Sequence, residues 1–356
     1  MSNIAKINSG RFFENFVLNE TIHHATPRTI TDGDSALYIA LTGARNPLHC
    51  SVPFAQSLEY KTTPVDDLLA FHIAFGKTVP DISVNAVANL GYADVQFTQP
   101  VFVGDTLTTS SKVIGLKQNS NGKSGVVWVR STSVNQNNLP VISWVRWVMV
   151  HKKDTASAAP TTVIPDLPAF VSANQLKLPD YLQTHDEISH VTGGQFFWED
   201  YRVGERLDHP AGMTINDSDH TLATKLYQNN ARLHFDAHLM QSTVIGKRLV
   251  YGGIVISACR ALSYEGLENA LSILAINAGK HVNPTFAGDT IYTMTEVLEK
   301  WDLPHRSDMG ALRLRMVGIK NMPPSALENI KNNQDYHQNV VLDLDYTVAI
   351  PRKGNE

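Results

Sequence analysis

Two stretches decide the fold: TITDGDSALYIALTGARNPLH, Thr29 to His49, and TINDSDHTLATKLYQNNARLH, Thr214 to His234. They align without a gap at an offset of 185, and eight positions match: Thr29, Ile30, Asp32, Asp34, Leu37, Leu41, Leu48 and His49 meet Thr214, Ile215, Asp217, Asp219, Leu222, Leu226, Leu233 and His234. Upstream, GRFFENFVLNE (Gly10 to Glu20) resembles GQFFWEDYRVGE (Gly194 to Glu205) with one inserted residue. Downstream, QPVFVGDTL (Gln99 to Leu107) resembles NPTFAGDTI (Asn283 to Ile291). Three matched blocks in the same order, at a period far above the 20 to 50 residues of solenoids, read as a duplicated domain.

The 356-residue length agrees, with room for two domains that each build a core. The expected division is 1–153, a linker at 154–190, and 191–356. The linker is rich in Ala, Ser, Thr and Pro without a sustained period and is expected to cross the surface. A net charge of -4 with 18% charged residues offers no basic face for nucleic acid. No apolar run reaches the roughly 18 residues of a membrane span, and the first residues lack the apolar stretch of a signal peptide. Cys50 and Cys259 lie among apolar residues without metal spacing, so both are expected to be buried, reduced thiols of a cytoplasmic protein.

Each repeat opens a helix. Thr31 with Asp34, and Asn216 with Asp219, have the spacing of a capping box, which assigns Asp32, Asp34, Asp217 and Asp219 to helix starts rather than catalysis. A longer apolar helix follows each time, Asp66 to Val79 and Tyr251 to Gly266; both are too apolar for an exposed helix and should be wrapped by other structure. The rest alternates as strands. VVWVRSTSV, a QNN turn and PVISWVRWVMVHK form a hairpin, and the two GDT triplets are turns. The layout is α+β: in each half, one central helix and an antiparallel sheet.

Both repeats end in histidine. The segment LTGARNPLH, with Gly43, Asn46, Pro47, Leu48 and His49, resembles the hydratase-2 signature of the MaoC-like hotdog family, with Ala44 in place of its aspartate. Longer stretches, among them FGKTVPDISVNAVANLGYA, VRWVMV, LYQNNARLHFD and RLVYGGIVIS, are similar to the mesaconyl-CoA hydratases (β-methylmalyl-CoA dehydratases) of that family, over about Gly10 to Arg352. The resemblance implies two tandem hotdogs forming a pseudo-dimer within one chain. It implies a hydro-lyase that adds water reversibly to mesaconyl-CoA, with an acyl-CoA substrate, no cofactor and no metal. A homodimer of the fused pair is a further expectation. The alternatives are a broad (R)-specific enoyl-CoA hydratase, a hotdog thioesterase, and a non-catalytic acyl-CoA-binding protein.

The family uses its histidine and acidic partner on a water molecule, and a glycine-started helix N-terminus for the oxyanion. The second repeat has Asn229, His234 and Gly252-Gly253; the first has Ala44, His49 and Asp66-Asp67-Leu68, whose carboxylates would oppose an oxyanion. His234, Asn229 and Gly253 are therefore the expected catalytic groups, with His49 and Asp236 in reserve; the plain alternative for Asp236 is a cap. Tyr251, Gly252, Arg232 and Lys280 are expected to bind substrate. Arg232 would fork the free carboxylate of mesaconyl-CoA. Lys280, Lys247, Arg248 and His281 are candidates for CoA phosphate contacts, against the plainer reading of solvated charges. Asn89-Leu90-Gly91 and Asn277-Ala278-Gly279 are expected to line the groove.

Overall fold

Both repeat segments start a helix as their spacing predicts. Thr31 Oγ1 accepts from Asp34 N–H at 3.3 Å, and Asp34 Oδ2 accepts in return from Thr31 N–H at 2.8 Å. Asp219 Oδ2 likewise accepts from Asn216 N–H at 3.2 Å. Two orphan amide donors are thus satisfied reciprocally at the first of these helix starts.

The computed structural model describes residues 6–354 apart from Asn8, Asp186 and His305. The first half runs β1 (Thr21–His23), β2 (Arg28–Thr29), α1 (Asp32–Thr42), α2 (Pro47–Cys50), α3 (Val52–Ser57), α4 (Asp67–Ile82), β3 (Ala86–Phe97), β4 (Thr106–Gln118), β5 (Ser124–Val134) and β6 (Pro140–His151). The second runs α5 (Ile188–Thr192), β7 (Arg206–Thr214), α6 (Asp217–Leu226), α7 (Arg232–Phe235), α8 (Ala237–Gln241), α9 (Gly252–Leu262), β8 (Ser272–His281), β9 (Thr290–Asp302), β10 (Met309–Lys320), β11 (Lys331–Asn332), β12 (Asp335–Tyr336) and β13 (Val340–Pro351).

The main sheet is antiparallel, in the order β1-β4-β5-β6-β3-β8-β13-β10-β9-β7. The halves are mirrored in that order and meet at β3 and β8, where Tyr92 pairs with Gly279 and Val95 with Ile276. Each half wraps a buried helix, α4 or α9, so the architecture is a double hotdog. Leu69, His72, Ile73 and Ala74 of α4 have no exposure at all. Phe71 meets Trp144 and Tyr92 edge-on, at centroid distances of 5.6 and 6.4 Å.

The halves do not keep separate cores. The largest apolar cluster joins Phe71, Val95 and Trp144 of the first to Ile256, Leu314 and Val348 of the second. The reason is the closeness of α4 to the second repeat: a Cβ on Gly76 would overlap the Tyr227 carbonyl oxygen. The stretch between the halves also departs from a simple surface crossing. Val171, Leu176 and Leu182 are buried in a second cluster, and Val171 N–H donates to Asn277 Oδ1 at 2.9 Å. Asn277 is thereby a structural anchor rather than a groove residue. The GDT turns are as expected, with Gly104 at φ +97° and Gly288 at φ +96°. Cys259 is buried, but Cys50 is exposed, because α2 is one turn long and presents its last residue to solvent.

Candidate active site

The two repeat histidines are held alike. His49 Nδ1–H donates to the Pro64 carbonyl at 3.1 Å, and His234 Nδ1–H donates to the Leu249 carbonyl at 2.9 Å. Each acceptor lies 15 residues on, so the repeat is conserved down to one hydrogen bond. A carbonyl can only accept, which places a proton on Nδ1; in a neutral ring so held, Nε2 keeps a free lone pair. Before α7, Asn229 is 2% exposed and its Oδ1 accepts from Ala231 N–H at 3.1 Å. That turn brings His234 into place and leaves the Asn229 amide NH2 as the group to present to a ligand.

The surroundings of the two histidines differ. His234, Asn229, Tyr251 and Gly252 line a cavity of about 330 Å³. The corresponding space at His49 is about 20 Å³, lined by Tyr38, Arg45, Arg260 and Tyr264 among others. The helix starts differ as well. At α4, Asp66 Oδ1 accepts from Leu68 N–H at 2.9 Å, and Asp67 accepts from Ile273 N–H at 2.8 Å. Burial pushes the Asp67 carboxyl up to about 6, with His49 beside it pulling the other way. At α9 the N-cap is Tyr251, without a side-chain cap bond. The N–H groups of Gly252 and Gly253 have no intrahelical acceptor and carry the positive end of the helix dipole, while Ile254 N–H donates back to the Tyr251 carbonyl at 2.9 Å. Glycine is required here by space: a Cβ on Gly252 would overlap the His281 ring, and one on Gly253 would stand 2.7 Å from His72.

The cavity is built from both halves. Phe75 and Val79 come from α4, Asn89 and Tyr92 from β3, Arg146 from β6, and His281 from β8. The Tyr92 hydroxyl and His281 Nε2 are hydrogen-bonded to each other. Burial, with His234 nearby, holds the His281 imidazole down to about 4. Burial does the same to His234, also to about 4, partly countered by its bond to Leu249. His234 is therefore a neutral imidazole around pH 7, a proton acceptor rather than a cation.

The structure brings His234, Asn229, Tyr251 and Gly252 together and sets Gly253 one layer behind, against His72. It does not bring the other candidates there. Arg232 is exposed at the start of α7 and does not line the cavity, because residues two apart on a helix do not share a face with His234. Asp236 caps α8, its Oδ1 accepting from Leu239 N–H at 2.9 Å. Lys280 is exposed on β8, with only its neighbour His281 turned inward, as strand alternation requires. Arg248 pairs with Asp217 at 2.7 Å, and Lys247 lies 4.1 Å over the Phe286 ring. The sequence reading missed Arg146 and Tyr92. The signal for Arg146 was present: in β6 it alternates in phase with Trp144 and Val148, the inward face.

The profile of the mesaconyl-CoA hydratase family matches residues 2–323. The chain is 53% identical over 350 residues to a beta-methylmalyl-CoA dehydratase of Chloroflexus aurantiacus, covering 98% of this chain and 99% of that protein. It is 50% identical over 347 residues to a mesaconyl-CoA hydratase of Cereibacter sphaeroides, covering 98% and 100%. A solved structure of a putative MaoC domain protein dehydratase from Chloroflexus aurantiacus superposes with a TM-score of 0.96 at 52% identity, covering 99% of this chain and 100% of that one.

Proposed function

The chain belongs to the mesaconyl-CoA hydratase family, and from that premise we propose that it is a hydro-lyase joining mesaconyl-CoA and β-methylmalyl-CoA through reversible addition of water. The observation that carries the assignment of the working site is the inequality of the repeats. One histidine opens on about 330 Å³ beside an uncapped helix start, the other on about 20 Å³ beside two carboxylates.

The geometry supports the following sequence. Water lies between His234 Nε2 and the Asn229 amide, which orients its oxygen. As that oxygen bonds to the β-carbon, His234 takes a water proton, and the alkene pair moves onto the thioester as an enolate. The free amides at the start of α9, Gly252 and Gly253, receive the oxyanion, where a fixed dipole in a partly dry site is worth more than in water. The proton then passes from His234 to the α-carbon, so atoms and charge balance without a redox step. No cofactor enters this sequence. A groove of about 520 Å³ shares Asn229 with the cavity and carries Lys77 and Lys225, cations suited to the CoA nucleotide, beside Arg28, which is paired with Asp34. Among the described residues no helix is long and apolar enough to cross a membrane. A cytoplasmic location fits a CoA-thioester substrate, and sedimentation would establish whether the fused pair dimerises.

The test is loss of enoyl-thioester absorbance from mesaconyl-CoA, with free thiol followed in parallel. His234→Ala should lower kcat by roughly 100- to 10,000-fold, the usual worth of a general base, while His49→Ala retains turnover. Turnover abolished by His49→Ala and kept by His234→Ala would place the chemistry in the other repeat. Release of free CoA thiol without hydration would identify a thioesterase.

A further inference from the structure

Arg146 lines the cavity but has no part in adding water. It projects inward from β6 and is 1% exposed. Its Nη2 donates to Thr78 Oγ1 at 2.8 Å, its Nη1 to Ser83 Oγ at 3.4 Å, and its Cζ stands 4.4 Å over the Phe75 ring. Its Nε has no acceptor. Among the described residues no carboxylate lies within ion-pair distance of it. Elsewhere the protein pairs arginines that are partly withdrawn from water: Arg313 with Asp345 at 2.6 Å, and Arg315 with Asp343 at 2.8 Å. A buried guanidinium without an anion is costly, and two hydroxyls and a ring face do not neutralise it. Desolvation accordingly draws its pKa down to about 9, with the Tyr251 and Tyr92 phenols opposing.

The cavity itself is where the missing anion fits. Arg146 and His234 line the same cavity, and the aromatic ring of Tyr251 links them: it lies 5.5 Å from the His234 ring and 6.2 Å from the Phe75 ring on which Arg146 stacks. We propose that Arg146 is the anion receptor of the active site, binding a carboxylate on the β-carbon of the acyl group and so selecting dicarboxylic enoyl-CoA thioesters over neutral ones. The inference rests on the function proposed above, since mesaconyl-CoA carries that carboxylate on the carbon that water attacks. Holding it fixes the β-carbon against the water at His234, and the unpaired Nε edge offers the fork a carboxylate requires.

The experiment compares mesaconyl-CoA with crotonyl-CoA, which lacks the carboxylate, for wild type, Arg146→Gln and Arg146→Lys. Arg146→Gln should lose about 100-fold or more in kcat/KM on mesaconyl-CoA, as expected when one partner of a buried charge pair is removed. Its kcat/KM on crotonyl-CoA should change by less than about threefold, and Arg146→Lys should recover part of the loss. Equal losses on both substrates would overturn the proposal and leave Arg146 as a pin between β6 and the end of α4. If Arg146→Gln does not fold, competition in the wild type decides: succinyl-CoA should inhibit more tightly than butyryl-CoA, and equal inhibition overturns the proposal. Wild type that hydrates crotonyl-CoA but not mesaconyl-CoA would instead reject the substrate reading beneath it, a distinct outcome.

Discussion

His234 shows what one partly buried hydrogen bond does to chemistry. The Leu249 carbonyl fixes the tautomer, and burial holds the ring down to about 4. A base must be unprotonated to act, so the acid limb of kcat/KM should follow this folded value, not the ordinary 6.5 or so. Activity of the folded enzyme should stay level from about pH 7 to about 5 and fall below that. A pH–rate profile checks it, and a limb near 6.5 would mean that the ring is solvated or is not the base. His234 was legible because the repeat presents its histidine twice. Arg146 was not assigned, although the strand alternation places it inward, because an inward position in a sequence does not reveal whether it meets core or cavity. Arg232 misled through nearness in sequence: two residues from His234, on a four-residue helix, it faces away.

Among the elements, α4 and α9 are copies put to different uses. Both are wrapped helices, as their scarcity of polar residues predicts, and the β5–β6 hairpin also lies where alternation puts it. What the pattern could not convey is how closely the copies approach. Gly76 of α4 lies under the Tyr227 carbonyl, the residue that ends α6 and leads to Asn229. In isolation Gly76→Ala would favour the helix by about 1 kcal/mol. Here its Cβ would overlap backbone oxygen, which cannot rotate away as a side chain can. Overpacking of this kind costs about 1–3 kcal/mol, occasionally more. The substitution should therefore lower the urea midpoint and, by shifting Tyr227, weaken turnover through Asn229. An unchanged midpoint would mean the two copies are less tightly opposed. The linker was similarly opaque: its polar composition hides Val171, Leu176 and Leu182, three separated apolar anchors with no period to announce them.

Across the whole molecule, fusion through β3 and β8 makes one sheet, a shared core and a cavity to which both repeats contribute. The cavity and the shared core around it bury ionisable groups that must stay neutral, and folding stability then depends on pH. Burial holds His209, His234 and His281 down to about 4 and His72 to about 3. In the unfolded chain each takes up a proton below about pH 6.5. Between those limits the unfolded state holds more protons, so stability falls as pH falls, by up to about 1.4 kcal/mol per pH unit for each histidine. Asp67 works in the opposite direction: pushed up to about 6, it is protonated in the folded state before the unfolded one, which adds stability as pH falls through that range. These four histidines against Asp67 leave a net uptake of about three protons on unfolding near pH 5, and His220, also drawn down by burial, adds to it. Urea midpoints should therefore drop from pH 7 to pH 5, and a flat profile would mean that these imidazoles are not held neutral. The same drop governs how the kinetics are read. Acid can unfold the enzyme before it protonates His234, so the acid limb belongs to the base only where initial rates recover fully on return to pH 7.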